Sequence, residues 1–470
     1  MSGNLYNLLA SRFPADRTRP CLLLKDGSEV SYGELEAGAA RIGGLLRDRG
    51  VGPGDRVAAQ VEKSPQALML YLATLKAGGV FTPLNTAYTA AEIDYFLKDA
   101  QPRLFVRDAV ALAAEARAAE LLAEAVPRAG SDLASLIYTS GTTGRSKGAM
   151  LSHSNLADNA LALHGIWGFS ENDVLLHALP IFHVHGLFVA THCALLSGAP
   201  MVWLDRFNET DAIAGLARAT VMMGVPTFYT RLLADPGFTA EAAAGVRLFI
   251  SGSAPLLAST FAEFEARAGQ RILERYGMSE AVIITSNPLR GERLAGSVGY
   301  PLPGVELRID GEGTGVIQIK GPSVFSGYWR MPEKTAEEFT ADGWFITGDV
   351  GWIDADGRVW ISGRAKDLII SGGFNVYPKE IELVLDELDG VVESAVIGVA
   401  HPDFGEGVVA VAVGEGEEAA VIAAARGKLA AFKVPKRVVF VDDLPRNAMG
   451  KVQKNLLRQA YAGLFSSSAS

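Results

Sequence analysis

The sequence predicts an α/β chain: a large N-terminal domain of layered parallel sheets with helices and a β-rich end, then a small α+β domain. Three observations carry this expectation. Helix and strand signals alternate through the first half, the pattern that gives a mostly parallel sheet with helices on both faces. From about Gly299 the texture changes to short alternating strands, a β-rich part that runs to residue 365. Beyond it, residues 366–470 read as a compact α+β domain, and a length of 470 residues suits more than one domain.

Each element has a local reason. Ser31 and Glu34 form a capping box, with Leu35, Ala39, Ile42 and Leu46 behind it and Gly50 at the stop. Arg56–Val61 reads as a strand; Pro65 then opens a second helix through Leu75, ended by Gly78 and Gly79. Ala109–Ala125 is rich in Ala, Glu, Arg and Leu and reads as a surface helix. Val174 to Leu204 contains no Asp, Glu, Lys or Arg and is long enough to span a bilayer. It also carries His177, His183, His185, His192, Pro180 and Pro200, so a buried strand–loop–helix–strand passage explains it better. Strands follow at Glu306–Ile309, Gly315–Ile319, Val350–Ile353 and Arg358–Ser362, the last two joined by the turn Asp354–Gly357. The small domain reads as a helix from Pro378 through Leu388, strands Val392–Val399 and Val408–Val413, an Ala-rich helix and a strand Arg437–Val441.

Composition narrows the function classes. Hydrophobic residues at 49% and charged residues at 20% exclude a wholly disordered chain. The net charge is −10 without a block of Lys or Arg, so no nucleic-acid partner is expected. Cys21 and Cys193 form no CxxC pair, which argues against a disulfide framework or a Cys-based zinc site and suits a reducing cytosol. No basic start followed by a long apolar core opens the chain, so a cytoplasmic protein with no signal peptide and no membrane partner is expected.

The densest chemical signal is LASLIYTSGTTGRSKG, residues 133–148. A strand-like run enters a loop of Gly, Ser and Thr that ends near Lys147. Gly141, Gly144 and Gly148 let the backbone bring N–H groups onto an anion, while Thr139, Ser140, Thr142, Thr143 and Lys147 add donors and charge. A phosphate chain is the natural guest, yet the spacing does not match GxxxxGK[ST].

YTSGTTGRSKG resembles the phosphate loop of the adenylate-forming superfamily: acyl-CoA synthetases, luciferases and adenylation domains. The resemblance covers nearly the whole chain, with LPIFHVHG (179–186), GSAP (252–255), ERYGMSE (274–280), GPSVFSGYW (321–329), WFITGD (344–349), GRAKDLIISGGFNVYP (363–378) and PRNAMGK (445–451) in the expected order. The family usually has Pro where Ser146 stands and Thr where Ser279 stands.

The resemblance implies ATP, Mg²⁺ and coenzyme A. A carboxylate attacks the α-phosphate of ATP, pyrophosphate leaves, and a thiol then displaces AMP. It implies a nucleotide site built from residues 139–144 and Lys147, Gly252, Ser253, Ala254 and Pro255. Glu274, Arg275, Tyr276, Gly277, Met278 and Ser279 complete it, with Tyr276 on adenine and with Asp349 and Arg364 on the ribose. Glu280 and Thr142 would hold the metal, and Lys451 would stabilise charge at the α-phosphate. His183 would stand at the acyl/thiol junction. Lys366 would be the hinge on which the small, mobile domain rotates, bringing Gly372, Gly373 and Phe374 to the thiol tunnel in the cleft between the domains. For the CoA phosphate, Lys433, Lys436 and Arg437 are the local candidates, and Lys451 is a conceivable acetylation site.

Arg231 lies in the apolar passage MMGVPTFYTRLL, and Arg275 precedes the Tyr-Gly-Met-Ser-Glu motif. An unpaired Arg in an acyl pocket is costly to desolvate and calls for an anionic substrate tail. HVHGLFVATH, GVPTFYTRLL and LERYGMSE also resemble malonyl-CoA synthetases in particular. The expectation is a dicarboxylate, malonate or methylmalonate, held by Arg231 with Arg275, with Thr191, Ile283, His185 and Ser251 completing the pocket. The alternatives are a short-chain monocarboxylate–CoA ligase, a standalone enzyme loading a carrier protein and a silent nucleotide-binding regulator.

Overall fold

The computed structural model describes residues 3–139, 146–446 and 452–465. The chain divides into two compact units: Met1–Leu307 with Ile319–Phe345, and Arg308–Gln318 with Ile346–Ser470.

In the first unit, one sheet runs in the order Leu104–Val106, Arg56–Ala59, Val80–Pro83, Leu133–Thr139, Lys147–Ser152. All neighbours are parallel except the last pair, which forms an antiparallel hairpin with Thr139 opposite Lys147. The second sheet has a parallel core of Leu273–Tyr276, Leu248–Ser251, Val221–Gly224, Leu175–His177, Met201–Trp203 and Pro20–Leu24. Short antiparallel strands flank it at Thr285–Ser286 and Glu29–Ser31. Helices such as Glu209–Leu216, Pro226–Ala234 and Ala258–Ala268 cover it and close a core around Phe249, Phe264, Tyr229 and Met222.

The second unit holds, from Ile346 onward, the strand Phe345–Ile353 paired with Val359–Arg364, with Asp349 opposite Arg364. Asp354 shapes their turn by accepting from the Arg358 N–H at 2.8 Å and the Trp360 indole at 2.9 Å. A further sheet runs Phe374–Val376, Ile369–Ser371, Gly405–Gly414, Val391–His401, with Arg437–Val441 parallel to Gly405–Gly414. Helices Pro378–Leu385, Glu418–Arg426 and Lys454–Ala460 cover that sheet through two apolar clusters.

Most expected elements stand. The Ser31–Glu34 capping box opens the helix Tyr32–Asp48, and Pro65 opens the helix Pro65–Lys76. The uncharged passage is Leu175–His177, a π-helical turn His185–Ala190 running into the helix Thr191–Ser197, then Met201–Trp203. Among the described residues, no helix is long and apolar enough to cross a membrane. The expected helix over Ala109–Ala125 is corrected: it ends at Glu115, with one 3₁₀ turn to Ala118. The following chain lies extended across the helix Tyr32–Asp48, where the Leu122 N–H donates to the Ala40 carbonyl at 3.0 Å. Gly43 and Gly44 permit that approach; a Cβ on Gly44 would stand 1.8 Å from the Glu120 oxygen.

Candidate active site

Ser140, Gly141, Thr142, Thr143, Gly144 and Lys451 lie outside the described residues. The hairpin that brackets the loop is described. Thr139 ends one strand, and Lys147 begins the other with its side chain nearly buried. The Lys147 ammonium lies 3.2 Å from the Glu338 carboxylate and 4.1 Å from the centre of the Tyr328 ring. The Tyr328 hydroxyl in turn donates to Glu280 at 3.0 Å. Lys147 and Glu280, far apart in sequence, thus share Tyr328, whose role sequence reasoning left unassigned. Tyr328 stands inside the GPSVFSGYW motif, which was the available signal; nothing local marked Glu338.

Among the described residues no group of three or more His, Cys, Asp and Glu could hold a metal. Magnesium commonly needs only one or two carboxylates beside substrate phosphates, so the buried Glu280 carboxylate fits such an ion.

The strand Leu273–Tyr276 carries the next group, and its alternation sends neighbouring side chains to opposite faces. Glu274 is buried and accepts from the Gly296 N–H at 3.1 Å; burial pushes its pKa up to about 7 against backbone N–H bonds from Gly296 and Leu256. Its carboxyl therefore clamps two loops. Arg275, also buried, leaves Nε and Nη2 without a hydrogen-bond partner. Desolvation pushes its pKa down to about 9, so the group is still a cation at neutral pH. Its guanidinium lies against Gly252, where a Cβ would stand 2.5 Å from the Arg275 Cζ. Ser253 follows with φ +72° in the left-handed region.

Tyr276, Gly277, Met278 and Ser279 are half-buried after this strand. Gly277 is irreplaceable by shape, because a Cβ would meet the Val282 oxygen at 2.0 Å. Val282 has φ +59°, a costly conformation for a β-branched residue and one that clusters at functional sites. Sequence reasoning missed it. The neighbouring Ile283 is buried, and its carbonyl accepts from Asn159 at 2.8 Å.

Ser251, at the end of its strand, is buried with Oγ unpartnered. His185 is buried and sits at the π-helical turn; its Nδ1 is 3.3 Å from Ser253 Oγ, and Nε2 has no partner. Burial, then Arg275, then His183 hold the His185 pKa well below 6.5, so the ring is neutral. His183 Nδ1 accepts from the His185 N–H at 3.3 Å. Thr191 is buried and spends its hydroxyl on the Gly186 carbonyl at 2.8 Å. Arg275 and His185, close enough to interact electrostatically, thus leave open polar atoms side by side, a setting for an anion.

Arg231 does not join this group. Its side chain is 61% exposed and reaches Glu209 at 3.8 Å. It lines a separate cavity of about 360 Å³ with Glu62, Lys63, Asp205, Arg206 and Phe228. The apolar passage hides an amphipathic helix, Pro226–Ala234, whose buried face takes Tyr229, Leu232 and Leu233 and turns residue 231 outward.

In the second unit, Arg364 Nε pairs with Asp349 at 2.7 Å, and the Asp349 N–H donates to Thr347 Oγ1 at 3.1 Å. Burial lowers the Lys366 pKa, with Asp367 opposing that shift. Gly372 and Gly373, at φ +59° and +82°, form the two-residue turn between Ile369–Ser371 and Phe374–Val376. Phe374 is exposed and stacks on Phe432 with centroids 4.7 Å apart. Lys433 already pairs with Glu380 and Arg437 with Glu418, while Lys436 lies 4.5 Å over the Phe404 ring. Two of the three expected phosphate cations thus have carboxylate partners.

The buried imidazoles set a pH dependence. Burial holds His153 down to about 4 and His192 to about 3, with His177 and His185 also well below 6.5. Groups lowered in the fold take up protons first in the unfolded chain, so their stability is present above pH 6.5 and lost as pH falls toward 4. Glu274 and Asp386, raised to about 7 and about 6, act oppositely but are fewer. The melting temperature is therefore expected to fall steadily from pH 7 to pH 5, and a rise over that range would contradict it.

With this geometry in hand, comparison places the chain. The model of the AMP-binding enzyme family matches residues 10–329, and that of the AMP-binding enzyme C-terminal domain matches residues 380–451. The chain belongs to the AMP-binding enzyme family. It is 34% identical to the malonate–CoA ligase of Arabidopsis thaliana, over 98% of this chain and 89% of that protein. It is 36% identical to the mitochondrial malonate–CoA ligase of Mus musculus, over 83% and 79%. Among solved structures it resembles ATP-bound MatB from Rhodopseudomonas palustris at 51% identity and TM-score 0.95, covering 99% of this chain and all of that one.

Proposed function

We propose that the protein is an AMP-forming acid–thiol ligase that makes malonyl-CoA from malonate, ATP and CoA, and that methylmalonate is a second substrate. The observation that carries this reading is the buried Arg275 guanidinium with two unpartnered nitrogens. A buried cation without a partner is costly, and a substrate carboxylate removes that cost. His185 Nε2 offers a further contact to the same carboxylate. Two malonate–CoA ligases among the relatives support the same acid.

The other carboxylate of malonate attacks the α-phosphate, and pyrophosphate leaves. Asp349, held by Arg364, accepts from the ribose hydroxyls, and Tyr276 stacks on adenine. Ser140, Thr142, Thr143 and Lys147 bind phosphate oxygens, with Lys147 exchanging part of its Glu338 pairing for them. Mg²⁺, when bound by Glu280 with Thr142 and phosphate oxygens, supplies charge neutralisation there. Lys451 steadies the charge that builds on the α-phosphate, so its acetylation would silence the first step. The CoA thiol then attacks the acyl carbonyl of the adenylate past His183, the acyl–phosphate bond breaks and AMP leaves, with Gly372, Gly373 and Phe374 along the thiol's path and Lys436 as the cation for a CoA phosphate. The hinge at Lys366 and a cytoplasmic location belong to the same reading, the latter supported by the free thiols of Cys21 and Cys193.

The test is AMP formation with ATP, Mg²⁺ and CoA across acetate, propionate, malonate, methylmalonate and succinate. Malonate is expected to exceed acetate by about 100-fold or more, because acetate leaves Arg275 unpaired. One added methyl on malonate is worth roughly 10–200-fold at most. Fastest turnover of acetate or propionate would overturn the dicarboxylate reading.

A further inference from the structure

Lys63 lies outside the motifs above in sequence, and the residue is buried at 8% exposure. Its three protons find three acceptors: His177 Nδ1 at 2.9 Å, the His177 carbonyl at 2.7 Å and the Leu204 carbonyl at 2.7 Å. The charge also sits 4.2 Å from the centre of the Trp203 ring. A methionine would fill similar space without the cost of desolvating a charge, so what the ammonium orients matters.

A donor at Nδ1 makes that nitrogen the acceptor of the His177 ring and leaves the proton on Nε2. Nε2 faces the Gly186 carbonyl at 3.0 Å, to which Thr191 Oγ1 also donates at 2.8 Å. Gly186 is seated tightly, since a Cβ there would meet the Pro180 carbonyl oxygen at 2.0 Å. This carbonyl belongs to the first turn of the π-helix His185–Ala190, and π-turns recur where a side chain must be aimed. The side chain so aimed is His185, whose Nε2 is open and whose ring lies within electrostatic reach of Arg275.

We infer that Lys63 is a positioning residue of the acyl pocket: it fixes the His177 ring, and the ring pins the Gly186 carbonyl at the turn that carries His185. The substrate affected is the dicarboxylate, so the inference rests on the malonate reading.

The experiment measures KM for malonate and for ATP in K63M, H177Q and H177F. A Gln amide keeps an N–H donor where His177 Nε2 stands, and Phe does not. K63M and H177F are expected to raise KM for malonate about tenfold, the size of one or two lost hydrogen bonds. KM for ATP stays within about twofold, and H177Q recovers most of the loss. A folded K63M with the wild-type KM for malonate overturns the inference, as does an equal rise in both constants. Should K63M not fold, the comparison of H177Q with H177F decides, and equal malonate constants in those two overturn it. Failure of the malonate reading shows separately, as a wild-type enzyme that does not turn malonate over; the same constants are then read on the acid it does use.

Discussion

Replacing Arg275 with Met is expected to lower kcat/KM for malonate by roughly 30- to 5,000-fold, the 2–5 kcal/mol range for losing a buried charge partner. The same change is expected to leave the fold at least as stable. Arg275 is buried, and two of its nitrogens lack protein partners, so Met removes a desolvated charge and fills its stem. Acetate, which never reaches the guanidinium with a second carboxylate, keeps its low activity or gains. In the wild type, malonate is expected to raise the melting temperature by binding the folded state; in R275M that shift disappears. R275M with malonate turnover within about threefold of wild type would remove Arg275 from the pocket. In R231A, by contrast, malonate turnover is expected to persist, because Arg231 is 61% exposed beside Glu209.

The second large effect concerns ATP. Asp349 is expected to lose its function on replacement by Ala, with kcat/KM for ATP falling roughly 10²- to 10⁴-fold. That range corresponds to two hydrogen bonds to a charged group at about 1.5–3 kcal/mol each. Arg364 holds the carboxylate at 2.7 Å and is itself 40% exposed, so in D349A the guanidinium keeps access to water instead of being left as a buried unpaired charge. The diagnostic is the split: the melting temperature and the ranking of acids stay as they are, while ATP use collapses. Unchanged ATP kinetics in D349A would show that the ribose is held elsewhere.

Much of this could be read without coordinates because it is written locally. The Ser31–Glu34 box, Pro65 at a helix start and the Asp354 turn are short-range devices whose chemistry involves neighbours in sequence. Arg275 and His185 lie in motifs far apart in sequence, and the structure brings their side chains within electrostatic reach of each other. What failed was long-range. An apolar window cannot say which side of a helix faces inward, and so Arg231 was read as sharing a pocket with Arg275, whereas it is largely exposed and lines another cavity. The helix expected to Ala125 was cut short by hydrogen bonds to chain more than 40 residues away. Lys433 and Arg437 read as available cations because Glu380 and Glu418, their partners, arrive from other elements. The left-handed Val282 leaves no trace in composition, since its strain is stored in the backbone.

The alternation of the strand Leu273–Tyr276 has an evolutionary consequence. Glu274 and Tyr276 point to one side and Arg275 to the other, so on the proposed function loop anchoring and acid choice would be encoded at adjacent codons yet stay mechanically separate. A mutation at codon 275 would then be expected to change the class of acid accepted while the Glu274 clamp on Gly296 stays intact. Such a scaffold can diversify its substrates by single steps, each passing through a folded protein.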